Sequence, residues 1–357
     1  MYTENFSLLS FKDFIKNKFP DSKLTNNYFE TFTSFEDEKN IIKNGVALRI
    51  IENPTFIKLN GKDTIDFLHR ISTNDLKNLQ ENQKINTLFL NEKGKFISRS
   101  TFIRFNNENY LLSEPDQDNR LFNWINKFII MEDITLENLT NKFSLLEFFG
   151  PQSNSFLTLL IGDEIKNLTE FDYKRFDVDG FTFYMFIAKE NNNVEVYKLI
   201  IETTRLIDFY QYLDSIKSVF DLQLIGELAY DYFRVKNLIP KFPNEINSET
   251  NPYEVNLIHE VNFKKGCYIG QEVIARLDTY DKVQRKLIKA ELNNKSYQLS
   301  KLDLINEENL LVGKITTEHL ELFPQFMCLV KRNLLNGNNT LKVNIENQER
   351  DLILIES

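Results

Sequence analysis

The sequence predicts an α+β protein that ends in a small all-β domain, and three observations carry that expectation. Apolar periodicities of strand and helix type alternate from Val46 to about residue 282. After Gln284 the spacing changes to short strand-like runs separated by Asn, Glu and Gly. The 357 residues, 42% hydrophobic and 27% charged, are enough for two or three domains with substantial cores.

Residues 1–45 form a polar lead segment punctuated by Phe, expected to pack on the body as short helices because its aromatics need cover. From Val46 a strand-like stretch through Phe56, Ile57 and Leu59 runs into Gly61. Asp63 is placed to cap a short helix carrying Ile65 and Leu68, which delivers the chain to Ser72-Thr73-Asn74-Asp75. Thr87 to Phe105 reads as a hairpin about the turn-prone Asn91-Glu92-Lys93-Gly94, with another strand at Tyr110 to Leu112. Leu121, Trp124, Ile125, Phe128 and Ile129 recur at i, i+3, i+4, i+7 and i+8, one face of an amphipathic helix that would cover such a sheet.

A similar alternation recurs between Phe143 and Val235. It comprises a strand ending at Gly150-Pro151, a helix through Phe156 to Leu160, strands near Phe181 to Ile187 and Val196 to Ile201, and helices near Arg205 and Ile225. Two related α+β halves, split near residue 150, therefore make up residues 46–282. Residues 283–357 form the small β domain, with strands at Leu310 to Gly313 and Leu341 to Ile345.

The formal net charge of −9 disfavours nonspecific capture of nucleic acid or an anionic membrane by the molecule as a whole. Glu4 and Asp13 interrupt any apolar stretch at the N-terminus, so neither a signal peptide nor a spanning segment is expected, and the cytoplasm is the default compartment. Two cysteines, Cys267 and Cys328, exclude a disulfide framework. His69, His259 and His319 lack the mutual spacing of metal ligands, so no protein-only zinc site is expected, and His69 reads as a partly exposed helix residue.

Two of only 11 glycines lie within Lys264-Lys265-Gly266-Cys267-Tyr268-Ile269-Gly270-Gln271-Glu272. Such concentration in a glycine-poor chain suits a tight loop that presents a thiol and its amides to a ligand. The preceding lysines would favour the thiolate. A structural turn around a small buried Cys is the competing reading.

Lys265 to Glu272 resembles the K-G-C-(F/Y)-x-G-Q-E signature of the YgfZ family, followed by Val273-Ile274-Ala275-Arg276 as that pattern expects. Phe67 to Asp75 resembles the family's F-L-x-x-x-x-T-N-D, and Asn91 to Lys95 its N-x-x-G-(K/R). Arg234, Ile239-Pro240 and Thr250-Asn251-Pro252 through Glu254 resemble the elements ahead of the cysteine loop. The resemblance covers roughly residues 46–330 in patches. It implies a ring of two ferredoxin-like α+β domains and a C-terminal β-barrel, with tetrahydrofolate in the central channel. It also implies an accessory role in assembly or repair of iron–sulfur clusters, with Cys267 as the functional thiol and iron–sulfur client or assembly proteins as partners.

By the same resemblance, Asn74, Asp75, Arg234, Lys265, Gly266, Tyr268, Gly270, Gln271, Glu272 and Arg276 belong to the folate site. Asn74 and Asp75 suit the amide and amine edges of a pterin, and Lys265 and Arg276 suit the glutamyl carboxylates of a folate. As turn or surface residues they would have bland fates. The related glycine-cleavage T-protein transfers an aminomethyl carbon to tetrahydrofolate with an aspartate three residues before a tryptophan. Here the tryptophan is Trp124 and the matching position holds Leu121, which can neither ionise nor position an amine. Asp118, a helical turn away, is the nearby substitute, and Val235-Lys236 lacks a Glu that the T-protein carries. A folate-dependent aminomethyl transferase or demethylase is thus the alternative function, and a purely structural interaction module a third. Cys328, in an apolar run, is expected in the core of a strand.

Overall fold

Ser10 and Ser34 start the two helices of the lead segment, each accepting an N–H at its hydroxyl, from Asp13 at 3.2 Å and from Asp37 at 3.1 Å. The helices are α1 (Phe11–Lys18) and α2 (Phe35–Asn44), and between them lies a hairpin of β1 (Lys23–Thr25) and β2 (Tyr28–Thr31) that helix-only reasoning missed. Phe11, Ile15, Phe29 and Phe32 are buried in the core of the body, so the aromatics find their cover there. The computed structural model describes residues 10–25, 28–116, 118–292, 303–306, 308, 310–317, 325–335, 340–345 and 348–355.

The body is two stacked sheets. Strand β3 (Val46–Ile51) is followed by β4 (Thr55–Asn60), helix α3 (Thr64–Ile71), β5 (Gln83–Leu90), β6 (Phe96–Phe105), β7 (Glu108–Ser113), helix α4 (Arg120–Phe128) and β8 (Thr135–Asn138). The chain then enters β9 (Phe143–Phe149), helix α5 (Ser153–Ile161), β10 (Lys174–Val178), β11 (Phe181–Lys189) and β12 (Glu195–Glu202). Helix α6 (Leu206–Ile216), β13 (Leu222–Leu224) and helix α7 (Glu227–Lys236) follow. The first sheet has the order β5-β6-β7-β4-β8 and the second β10-β11-β12-β9-β3-β13. Strand β3 thus precedes the first sheet in the chain yet pairs in the second, antiparallel to β9 and parallel to β13. Its near-continuous burial explains the placement, because a central strand covered on both faces needs apolar residues at every position.

Alternation assigns the faces. Val46 and Leu48 point outward from the second sheet into a core shared with α1, α5 and α6, whereas Ala47 and Ile51 point inward to Phe149, Phe233 and the first sheet's Phe56, Ile103 and Leu112. The outer face of the first sheet is covered by α3 and α4 through Phe67, Leu68, Leu121 and Ile125. Asp63 precedes α3 without capping it; its carboxylate accepts instead the N–H of Asp133 at 2.8 Å. Helix α8 (Gln271–Tyr280) leads into a closed barrel. Its strands are β14 (Arg285–Leu292), β15 (Asp303–Ile305), β16 (Leu311–Ile315), β17 (Gln325–Lys331), β18 (Thr340–Ile345) and β19 (Gln348–Ile355). Cys328 lies in the barrel core, as expected. The observed architecture is the expected α+β body, two ferredoxin-like halves, with a C-terminal β-barrel.

Candidate functional site

Between the inner faces of the two sheets lies a cavity of about 850 Å³, counting its open mouth. Its walls come from β5, β6 and β7 on one side and from β9, β11, β12 and the turn after β11 on the other. Tyr230 of α7 and the segment Ile239 to Ile246 complete it. That mixed apolar and polar lining suits a small organic ligand.

A chain of charged and amide groups crosses the cavity. Arg99 of β6 donates from Nη1 to Glu190 at 2.8 Å and grips Glu260 with Nε and Nη2 at 3.0 and 2.6 Å. Asn86 of β5 donates to the same Glu260 at 2.9 Å and accepts from the Thr101 hydroxyl at 3.0 Å. Burial would push the Glu190 carboxyl up, but the charges of Arg99 and Lys198 outweigh it and hold the group below the usual carboxylate range. For Arg99, burial likewise opposes the charge, and Glu190 and Glu260 more than offset it. Glu190 is therefore an ionised acceptor, and no described residue donates to its Oε1. Deeper in, Lys198 pairs with Glu147 at 2.9 Å, and Arg49 joins Glu147 and Glu227 while lying 3.7 Å over the ring of Tyr230.

None of the site residues expected from the sequence lines this cavity. Asn74 donates its side-chain amide to the Asn86 carbonyl at 2.8 Å, and Asp75 accepts from the Lys77 N–H and the Asn78 side chain. Lys265 is buried, and its ammonium caps the C-terminal end of α3 by donating to the carbonyls of His69 and Ser72. Burial holds that ammonium down to about 8. Arg234 is fully enclosed between Asp231 and Glu245. Arg276 forms an exposed pair with Glu272 one helical turn away on α8. Tyr268 is buried in the core beside the barrel, and Gly266 and Cys267 are exposed. Gly270 takes φ +84° and Gln271 follows it as the first residue of α8. His69 is buried rather than partly exposed, because the Lys265 loop closes over it.

The expected segments are brought together with one another, and they brace the cavity from behind. Thr73 donates its hydroxyl to the Glu260 carbonyl at 2.9 Å and its own carbonyl accepts the Asn262 N–H, which pins the backbone that carries Glu260. Gly270 lies so close to the Asn91 to Gly94 turn that a Cβ would sit 2.6 Å from the Asn91 carbonyl oxygen. Lys95 of that turn pairs with Glu254 at 3.3 Å.

Residues 15–265 match the GCVT N-terminal domain family. The chain belongs to that family. The matched GCVT segment holds Asn86, Arg99, Glu190 and Glu260 and stops two residues before Cys267. This GCVT-domain chain is 23% identical over 289 residues to a putative chloroplastic transferase of Arabidopsis thaliana, covering 81% of the chain and 65% of that relative's length. It is 22% identical over 292 residues to an aminomethyltransferase of Staphylococcus carnosus, covering 80% of the chain and 78% of the relative. The crystal structure of glycine cleavage system aminomethyltransferase T from Bartonella henselae matches with a TM-score of 0.79 at 15% identity, over 97% of this chain and 96% of that one. That likeness establishes a T-protein-like fold for the GCVT-domain chain. Among the described residues no helix is long and apolar enough to cross a membrane.

Leu121 is buried in the core under α4, so its side chain does not reach the cavity. Asp118 is exposed, and the aspartate nearby that does line the cavity is Asp116, whose Oδ2 accepts the Leu121 N–H at 2.9 Å. Sequence reasoning missed Asn86, Arg99, Asp116, Glu190 and Glu260. A signal for two of them existed. Gln83, Lys84, Asn86 and Thr87 in β5 and the run Ser98-Arg99-Ser100-Thr101 in β6 are polar stretches in strands that are otherwise largely apolar, which marks a part of the sheet not filled by core packing.

Proposed function

We propose that this chain binds a reduced folate in the cavity between its sheets and serves iron–sulfur enzymes as an accessory protein of the YgfZ type. The observation that carries folate binding is the ionised Glu190 at the cavity wall, with one carboxylate oxygen open and the other held by Arg99. A pterin presents an amine and a ring N–H side by side, and a fixed carboxylate is the natural acceptor for such a pair. The aminomethyltransferase relatives support the choice of folate. Calorimetry of the folded chain with tetrahydrofolate tests this. Binding should weaken at least tenfold in Glu190→Gln, and no heat of binding in the wild type would remove the proposal.

The iron–sulfur role rests on the signature around Cys267 and on the thiol's exposure outside the cavity. Cys267→Ala should fold and bind folate as the wild type does but fail to restore iron–sulfur enzyme activity in cells that lack the native copy. Full restoration by that variant would sink the role. Asp116 favours a second reading, aminomethyl transfer, because it places a carboxylate at the cavity where Leu121 cannot. Turnover of an aminomethyl donor that disappears in Asp116→Asn would establish it in place of the accessory role.

A further inference from the structure

Arg120, the first residue of α4, stands apart from the other cations of the cavity. Arg99 is neutralised by Glu190 and Glu260, and Lys198 by Glu147. Arg120 lines the same space with its guanidinium 4.4 Å over the ring of Phe242, and none of its nitrogens donates to a described residue. Its Nε is enclosed and has no hydrogen-bond partner among the described residues. The neighbouring acids are engaged elsewhere: Asp116 with the Leu121 N–H at 2.9 Å, and Glu114 with Arg49 at 3.4 Å.

A buried donor without a partner is rare in folded chains, because it forfeits its hydration without compensation. Contact with the Phe242 ring holds the guanidinium at the cavity wall, where its two terminal nitrogens have no described partner and can meet an anion. We propose that Arg120 anchors a carboxylate of the bound ligand. The anchor rests on the folate reading only for the ligand's identity. The carboxylate comes either from the glutamate tail of a folate or from a small amino-acid amine that shares the cavity. On this assignment Arg120 takes the part that the resemblance implied for Lys265 and Arg276, whose charges are turned away from the cavity.

Calorimetry on wild type, Arg120→Gln and Arg120→Lys separates the sources with four ligands. These are tetrahydrofolate, 6-methyltetrahydropterin with no carboxylate, p-aminobenzoylglutamate with no pterin, and N,N-dimethylglycine. For a folate tail, Arg120→Gln should lose tenfold to a hundredfold in affinity for tetrahydrofolate and p-aminobenzoylglutamate. Methyltetrahydropterin should stay within twofold of wild type. For an amino-acid source the loss falls on dimethylglycine instead. Arg120→Lys, which keeps the charge without the fork, should lie between. Unchanged affinity for every carboxylate ligand, or an equal loss for methyltetrahydropterin, overturns the assignment. A wild type that binds neither pterin-bearing ligand removes the folate reading alone, since the other two ligands still decide on Arg120. Binding of none of the four overturns both. A thermal midpoint of Arg120→Gln close to wild type excludes unfolding as the cause.

Discussion

Lys84 is 4% exposed on β5, and its ammonium lies 5.4 Å from the Phe186 ring centre with no hydrogen bond or ion pair to a described residue. Burial, reinforced by the charge of Lys198, holds the amine down from 10.5 to about 8. Between those two values the unfolded chain binds more protons than the folded one, so this group makes stability rise with pH across that window. Below pH 8 the folded state carries the full penalty of a desolvated ammonium. Lys84→Met should therefore raise stability at pH 7 by on the order of 2 kcal/mol, since the displacement corresponds to about 3 kcal/mol at most and a cation–π contact is lost. The gain should shrink as pH rises from 8 towards 10.5, read as the difference in urea midpoints between variant and wild type. A gain that does not change with pH would mean that the fold does not hold the Lys84 amine below its ordinary value. At this scale the sequence was informative about residue type and silent about direction: Lys84 and Arg276 are both lysine-or-arginine positions on regular elements, and only packing buries one and exposes the other.

The element that the sequence singled out most sharply, the glycine-flanked loop before α8, is built from two unlike glycines. Gly270 occupies the left-handed region at φ +84° and abuts the Asn91 carbonyl oxygen, whereas a Cβ on Gly266 would meet nothing within 4 Å. Gly270→Ala should thus destabilise by about 1–3 kcal/mol through backbone strain and a forced shift of the hairpin turn. Gly266→Ala should be near neutral. Paired denaturation curves of the two variants check this, and comparable losses would refute the distinction. The signature loop and the hairpin turn were legible as separate patches of sequence. Their contact was not, because Gly270 lies 176 positions after Gly94 and no local propensity reports which turn a loop will meet.

For the whole molecule, Glu254 joins three units. Its carboxylate receives Arg285 of the barrel at 2.8 Å, Lys95 of the first sheet at 3.3 Å and the Asn251 N–H at 3.1 Å, and its carbonyl accepts the Leu287 N–H at 2.7 Å. Around it, Leu88, Phe96, Val235, Leu287 and Leu329 form one apolar cluster across sheet, helix and barrel. Removing the one buried member leaves the Asn251 N–H without its acceptor and returns two partly exposed cations to water, at a cost of about 1–3 kcal/mol. Glu254→Ala should lower stability by that order, and the barrel strands should lose hydrogen-exchange protection before the sheets do. Uniform loss of protection over the whole chain would show that Glu254 does not act as the joint between barrel and body.

By itself the sequence determined the α+β order of elements, the all-β ending and the patches that resemble the YgfZ signature. These depend on periodicity, turn chemistry and short motifs, all read within a few residues of one another. The tertiary structure alone decided that β3 pairs in the second sheet, that the lead segment contains a hairpin, and that the cavity belongs to Asn86, Arg99, Asp116, Arg120 and Glu190, with Glu260 behind its wall. The reason is that a cavity wall is assembled from residues far apart in the chain, and no single segment reports which others it will meet. A glutamate at a strand end and an arginine within a strand become an ionised acceptor and its holder only when two sheets are stacked with their inner faces together.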